Sequence, residues 1–221
     1  MFAALPLVEL SADSNAANFA TAVAAHGDQT VLGTNVGTLQ LILNEGGVKV
    51  ECIISSRKRP VRQVAIIGSA HVVLALCDGI VSVHDINTLD KLCDLNNSAT
   101  KAETFICNAE EAIPRVCLSV ASHHSLLFFR LANPVQLYRE LRLKGPPARM
   151  EWAADFLSIA TISSLSVTDT QSGQSHLEHP YSIASATSLG GGALEESRAS
   201  ALAVVHENQR CAFACCRLGW L

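Results

Sequence analysis

A chain of 221 residues with 49% hydrophobic, 16% charged and 5% aromatic side chains has ample material for a core, and so disorder is excluded as its main state. The 16 Lys and Arg against 20 Asp and Glu leave a formal charge of −4, without the general positive field that draws nucleic acid. Apolar stretches such as Val72–Cys77 and Leu126–Phe129 are far shorter than the roughly 18–20 residues of a membrane-spanning helix, and a soluble chain, one domain or a piece of a larger one, is expected.

The opening MFAALPLVEL has no basic n-region, contains Pro6 and reaches Glu9 early, which argues against a secretory signal and for the cytosol. Residues 1–17 read as an N-terminal strand segment that would latch the last blade of a closed ring. From residue 18 one pattern dominates: a short apolar run, a tight polar turn, then a second apolar run, as an antiparallel hairpin is written. The first is TVLGT, turn NVG, TLQLIL, with strand candidates TAVAAH before it and VKVECII after it. QVAIIG then leads into VVLALC, turn Asp78-Gly79, IVSVHD. RVCLSVAS, turn His123-His124, SLLFFRL comes third, followed by LYRELRL, and LSIATI, turn Ser163-Ser164, LSVTDT is fourth. CAFACC, turn RLG, WL reads as the beginning of a fifth.

With Gly37, Gly79, His124, Ser164 and Leu218 as turn markers the spacings are 42, 45, 40 and 54 residues. A period near 40–45 residues of strands is the mark of a propeller built from four-stranded blades. The long last interval is assigned to a loop insertion at 189–200, LGGGALEESRAS. Helical periodicity is nearly absent; a helical turn is conceivable at Asn108–Glu111 or within that insertion. The expected fold is therefore all-β: an incomplete β-propeller over 18–221 with about five blades. Seven would need on the order of 290 residues. Blade faces left without a neighbour would expose apolar surface, so the isolated chain is expected to associate or to melt early.

Runs of the sequence resemble the citron homology domain: PLVEL, TVLGTNVGTLQLI, SSRKRPVRQVAIIGSAHVVLALCDGIVSVHDINTLDKL, TKAETFICN and RVCLSVASHHSLLFFRL. The third is the most specific, with Lys58, Arg59 and Pro60 opening a blade, Asp78-Gly79 turning it, and Val81 to Asp85 following. The resemblance is strong over 29–130 and weaker beyond 147. Its N-terminal position and PLVEL start look most like the vacuolar protein sorting subunits of the HOPS and CORVET tethers and the transforming growth factor beta receptor-associated protein. That resemblance implies a non-catalytic interaction module acting in endosomal and vacuolar membrane fusion, peripheral on those membranes, with other tether subunits and small GTPases as partners. The alternative it leaves is the regulatory domain of a signalling kinase or Rho exchange factor.

No residue pattern points to catalysis, a cofactor, a metal or a small-molecule substrate. His123-His124 fits a turn, and neighbouring strand residues face opposite ways. His176, Glu178 and His179 lack the helical order of a zinc site. His84-Asp85 has no nucleophile placed by a motif. The glycines at 190–192 lack the Lys and Ser/Thr of a phosphate loop. Eight cysteines lie mostly in apolar strand runs and read as buried hydrophobes; adjacent Cys215 and Cys216 suit packing rather than a bridge. Arg57, Lys58, Arg59 and Arg62 stand out, as four cations within six positions of a charge-poor chain. They are the candidate contact for an acidic partner or an anionic membrane surface.

Overall fold

The computed structural model describes residues 18–43, 48–109, 112–120, 124–161, 164–180, 201–207 and 210–216, with side chains up to position 176. The strands fall into successive antiparallel meanders. The first comprises β1 (Ala20–His26), β2 (Gln29–Thr34), β3 (Thr38–Leu43) and β4 (Val48–Ile53), paired in that order. The second comprises β5 (Val61–Ile67), β6 (Val72–Cys77), β7 (Ile80–Asp85) and β8 (Lys91–Asp94). The third holds β9 (Ala102–Asn108), β10 (Arg115–Val120), β11 (Ser125–Arg130) and β12 (Gln136–Arg142). The fourth holds β13 (Arg149–Ala153), β14 (Phe156–Ala160), β15 (Ser164–Asp169) and β16 (Ser175–Pro180). A two-stranded sheet of β17 (Ala201–Glu207) and β18 (Arg210–Cys216) follows. Each full sheet is the four-stranded unit that the 40–45-residue period implies.

Central strands are largely apolar because both of their faces are covered. All six residues of β6 and all six of β10 are buried. Between the first two sheets Val31, Leu39 and Leu41 pack with Val61, Val64, Val73 and Ala75, and Ile86 and Leu89 close the cluster from the turn after β7. At Gly33 the two sheets approach closely: a Cβ there would lie 2.5 Å from Val61 Cγ1, so no larger residue fits without displacing Val61.

Strands β5 and β9 share the burial pattern of a repeated unit, and Val64 and Phe105, 41 positions apart, are 8% and 0% exposed. Val23, 41 positions before Val64, is 64% exposed on β1. The side chain of one blade also reaches the backbone of the next. Thr21 donates its hydroxyl to the Val61 carbonyl at 2.6 Å. Gln63 does more: its amide nitrogen donates to the Phe105 carbonyl at 2.6 Å, and its amide oxygen accepts from the Phe105 N–H at 3.1 Å and the Thr104 hydroxyl at 2.9 Å.

The turns repeat as well. After β7 the Asp85 carboxylate accepts from the Asn87 and Thr88 N–H groups, and Leu89 N–H donates to the Asp85 carbonyl. After β15, 84 positions later, Asp169 accepts from Gln171 and Ser172, and Gly173 N–H donates to the Asp169 carbonyl. Leu89 and Gly173 both have positive φ, 58° and 75°. A leucine held in that region costs roughly 1–2 kcal/mol. The fully buried Leu89 side chain offsets it, since burial of a leucine contributes about 1.5–3 kcal/mol.

One hairpin is added to the expected set and two expectations are corrected. CAFACC, as β18, pairs backward with β17, with Glu207 opposite Arg210, a hairpin that the sequence reading did not include. The expected insertion at 189–200 and the expected turn at Leu218 lie outside the described residues. Ser164 is the first residue of β15 rather than part of its turn, because its N–H and carbonyl bond to Thr161 across the hairpin. Asn108 ends β9 and starts no helix, and the one short helical turn described is at Gly68–Ala70, entering β6.

Replacing Gln63 by Ala leaves the Phe105 N–H and C=O without their partner, and should lower stability by about 1–3 kcal/mol. The check is urea denaturation: a lower midpoint at constant slope is expected, and an unmoved midpoint would show that Gln63 does not join the sheets.

Candidate functional site

Arg57, Lys58 and Arg59 lie on the connection from β4 to β5, and Arg62 is the second residue of β5. Two anchors hold that connection. Ile54 and Ser55 donate their N–H groups to the Gly37 carbonyl, and the Ser55 hydroxyl accepts from the Arg59 N–H at 3.2 Å. On the other side the buried Cys77 thiol donates to the Arg59 carbonyl at 3.3 Å. Lys58 then takes φ 52°, its N–H bonded to the Ser55 carbonyl. Tight backbone anchoring leaves Arg57, Lys58, Arg59 and Arg62 exposed on a fixed frame.

Beside this connection lies the β6–β7 turn, where Asp78 and Gly79 have φ 51° and 78°. Both positive angles are what a two-residue hairpin turn of this hand demands, and Gly79 meets them without strain. The loop after β8 is the third component. Buried Asn96 donates to the Gly79 carbonyl and accepts from the Val81 N–H, each at 2.8 Å, and the Ala102 N–H donates to Gly79 as well. This fixes Lys101 with its stem over Gly79, where an added Cβ would sit 3.0 Å from the Lys101 Cβ.

Two adjoining recesses result, of about 300 and 360 Å³, sharing Asp78 and Lys101. Arg57 and Lys91 line the first, Arg59 and Arg62 the second. Arg57 stands 4.0 Å from the Asp78 carboxylate, an exposed pair worth little by itself, whereas Lys91 is engaged by Asp94 at 2.7 Å. Asp94 and Glu103 also line the recesses, so the site is a basic groove with carboxylates set into it. The turns at the other end of the first two sheets carry Asp28 and Asp90, with Asp85 beside them, and no Lys or Arg among the described residues. Sequence reasoning found the four clustered cations; it missed Lys101, 39 residues beyond Arg62, whose only sequence signal is its place 22 residues after the Asp78-Gly79 turn, just before the next blade begins.

His84 and Asp85 are not brought to act on one another. His84 is fully buried, its Nδ1 2.9 Å from the Leu89 carbonyl and its Nε2 2.8 Å from the Ser82 Oγ. A carbonyl only accepts, so Nδ1 carries the proton and Nε2 accepts from the Ser82 hydroxyl. Asp85 points instead to the turn amides, which hold its carboxyl below the usual range. Both residues hold the turn that places Leu89. His124 has φ 48° in the turn between β10 and β11, and His123 lies outside the described residues. His176 packs edge-on against Phe156 at 5.5 Å. The side chains of Glu178, His179, Cys215 and Cys216, and the glycines at 190–192, are likewise outside the described residues. Among the described residues no three His, Cys, Asp or Glu side chains gather as a metal site, and no helix is long and apolar enough to cross a membrane. Cys77 and Cys117 are buried, and burial pushes their thiols up, out of the reactive range.

No family model and no curated protein matches the chain. Among solved structures it is similar to BamB from Moraxella catarrhalis, with a TM-score of 0.58 and 17% identity over 76% of this chain and 55% of that one. At that identity the likeness carries the fold, and with the meanders described above it establishes a β-propeller of four-stranded antiparallel blades. The described residues form an incomplete one, of four full blades and two strands of another. The chain spans about half the length of the BamB chain it matches.

Burial lowers the His84 pKa, against the Leu89 hydrogen bond, which raises it; Lys91 lowers it slightly further and Asp94 raises it. The fold thus favours neutral His84: its contribution is fully present above the unfolded value, about 6.5, and is lost as pH falls through the lower folded value. Thermal midpoints measured from pH 7.5 downward should fall more steeply for the natural chain than for His84→Asn. Parallel profiles would show that His84 does not carry this dependence.

Proposed function

We propose that this chain is a non-catalytic interaction propeller of the citron homology type, from a vesicle-tethering subunit. It acts peripherally on endosomal or vacuolar membranes with other tether subunits and small GTPases. The observation that carries the reading is the basic groove at one end of the second blade, held by backbone bonds from three separate connections. Rigid sheets with short loops present a broad surface, and the groove offers charge complementarity to a partner without the paired acid and base of an enzyme site. The resemblance of residues 29–130 to citron homology domains supports the choice of membrane traffic.

The test is charge reversal, Arg57→Glu, Lys58→Glu, Arg59→Glu and Arg62→Glu together, in cells. Loss of recruitment to endosomal or vacuolar membranes is expected, with an unchanged circular dichroism spectrum because all four side chains are exposed. Recruitment equal to that of the natural chain would remove the groove from this function.

A further inference from the structure

The geometry points to an acidic polypeptide segment as the occupant of the groove around Asp78, an inference that rests on reading the chain as an interaction propeller. Four cations, Arg57, Arg59, Arg62 and Lys101, come from two connections and the start of β5, and converge on recesses that one carboxylate, Asp78, divides. Arg59, Arg62 and Lys101 form no ion pair among the described residues, and Arg57 is held only at 4.0 Å by Asp78. Their charge is therefore available to a ligand, and Asp78 stands where a ligand carboxylate would compete with it.

The recessed arrangement favours a polypeptide over a membrane. A flat anionic surface approaches all exposed charges together and would bring its headgroups against Asp78, Asp94 and Glu103, at a repulsive cost. Single Asp or Glu side chains along an extended segment can enter between those carboxylates, one on the Arg57–Lys101 side and one on the Arg59–Arg62 side. Lys101 matters most for distinguishing the two: it lies across Gly79 within the recess and is shared by both of its halves.

The experiment measures binding of a fluorescent ten-residue poly-glutamate peptide to the full chain by anisotropy, at low and high salt. Phosphatidylserine–phosphatidylcholine vesicles serve as the membrane probe. Lys101→Gln and Arg62→Gln should each weaken the peptide by about two- to fivefold, the worth of one exposed ion pair, and salt should weaken it further. Asp78→Asn should tighten it by a similar factor, and because Asn tolerates positive φ this variant keeps the turn. A gain of affinity is a result that misfolding cannot imitate. Peptide binding indifferent to all three substitutions would overturn the inference. So would vesicle binding that the peptide does not displace, which would assign the cations to a membrane. Failure of both probes would overturn it too, while loss of recruitment in the fourfold reversal would still uphold the interaction reading. Peptide binding with the expected pattern, beside unchanged recruitment, would keep the groove's chemistry and reject the tethering role.

Discussion

Coverage of both faces of the central strands is the constraint on which the structure depends. A strand such as VVLALC, buried at every residue, is stable only if something apolar lies above it and below it. Neighbouring blades supply that cover, and their approach is set at a few places. Gly33 lets the first sheet close onto Val61, and Gln63 supplies both a donor and an acceptor to the backbone of β9. The turn after β7 belongs to the same system, since it folds back far enough to bury Leu89 between two blades.

Site geometry follows from that packing. Connections between blades must run over the end of the β6–β7 turn, so the segments 54–60 and 95–101 flank Asp78 and Gly79. The bonds that fix them use Gly37, Ser55, Cys77 and Asn96, leaving the long cationic side chains free to face outward. A groove made this way is stiff at its backbone and adaptable at its rim, which suits recognition more than chemistry.

Much of the fold was legible because burial on both faces writes continuous apolar runs, and Asp78-Gly79 and Gly37 mark turns by backbone necessity. Strands with ordinary mixed composition were harder: KLCD as β8 and RMEWA as β13 are recognisable only by their pairing partners. Leu89 illustrates the limit well. Gly173 announces a positive φ, but a leucine at the equivalent place does not, because the burial that compensates it comes from another blade. CAFACC was legible as a strand, whereas its partner ALAVVHE was not, because its mixed small and apolar residues carry no turn signal of their own. For the groove, the run of four cations was visible in sequence, whereas Lys101 joins them only through the Asn96 bonds that fold its loop over Gly79.

The most direct measurement is amide hydrogen exchange at Phe105, followed by nuclear magnetic resonance. Its N–H points away from the ladder with β10 and is bonded only by the Gln63 side chain of the preceding blade. If blade-to-blade bonding organises the molecule, this amide exchanges as slowly as the ladder amides of β9, despite lying on the edge of its sheet. Exchange at the rate of an open edge amide would contradict it.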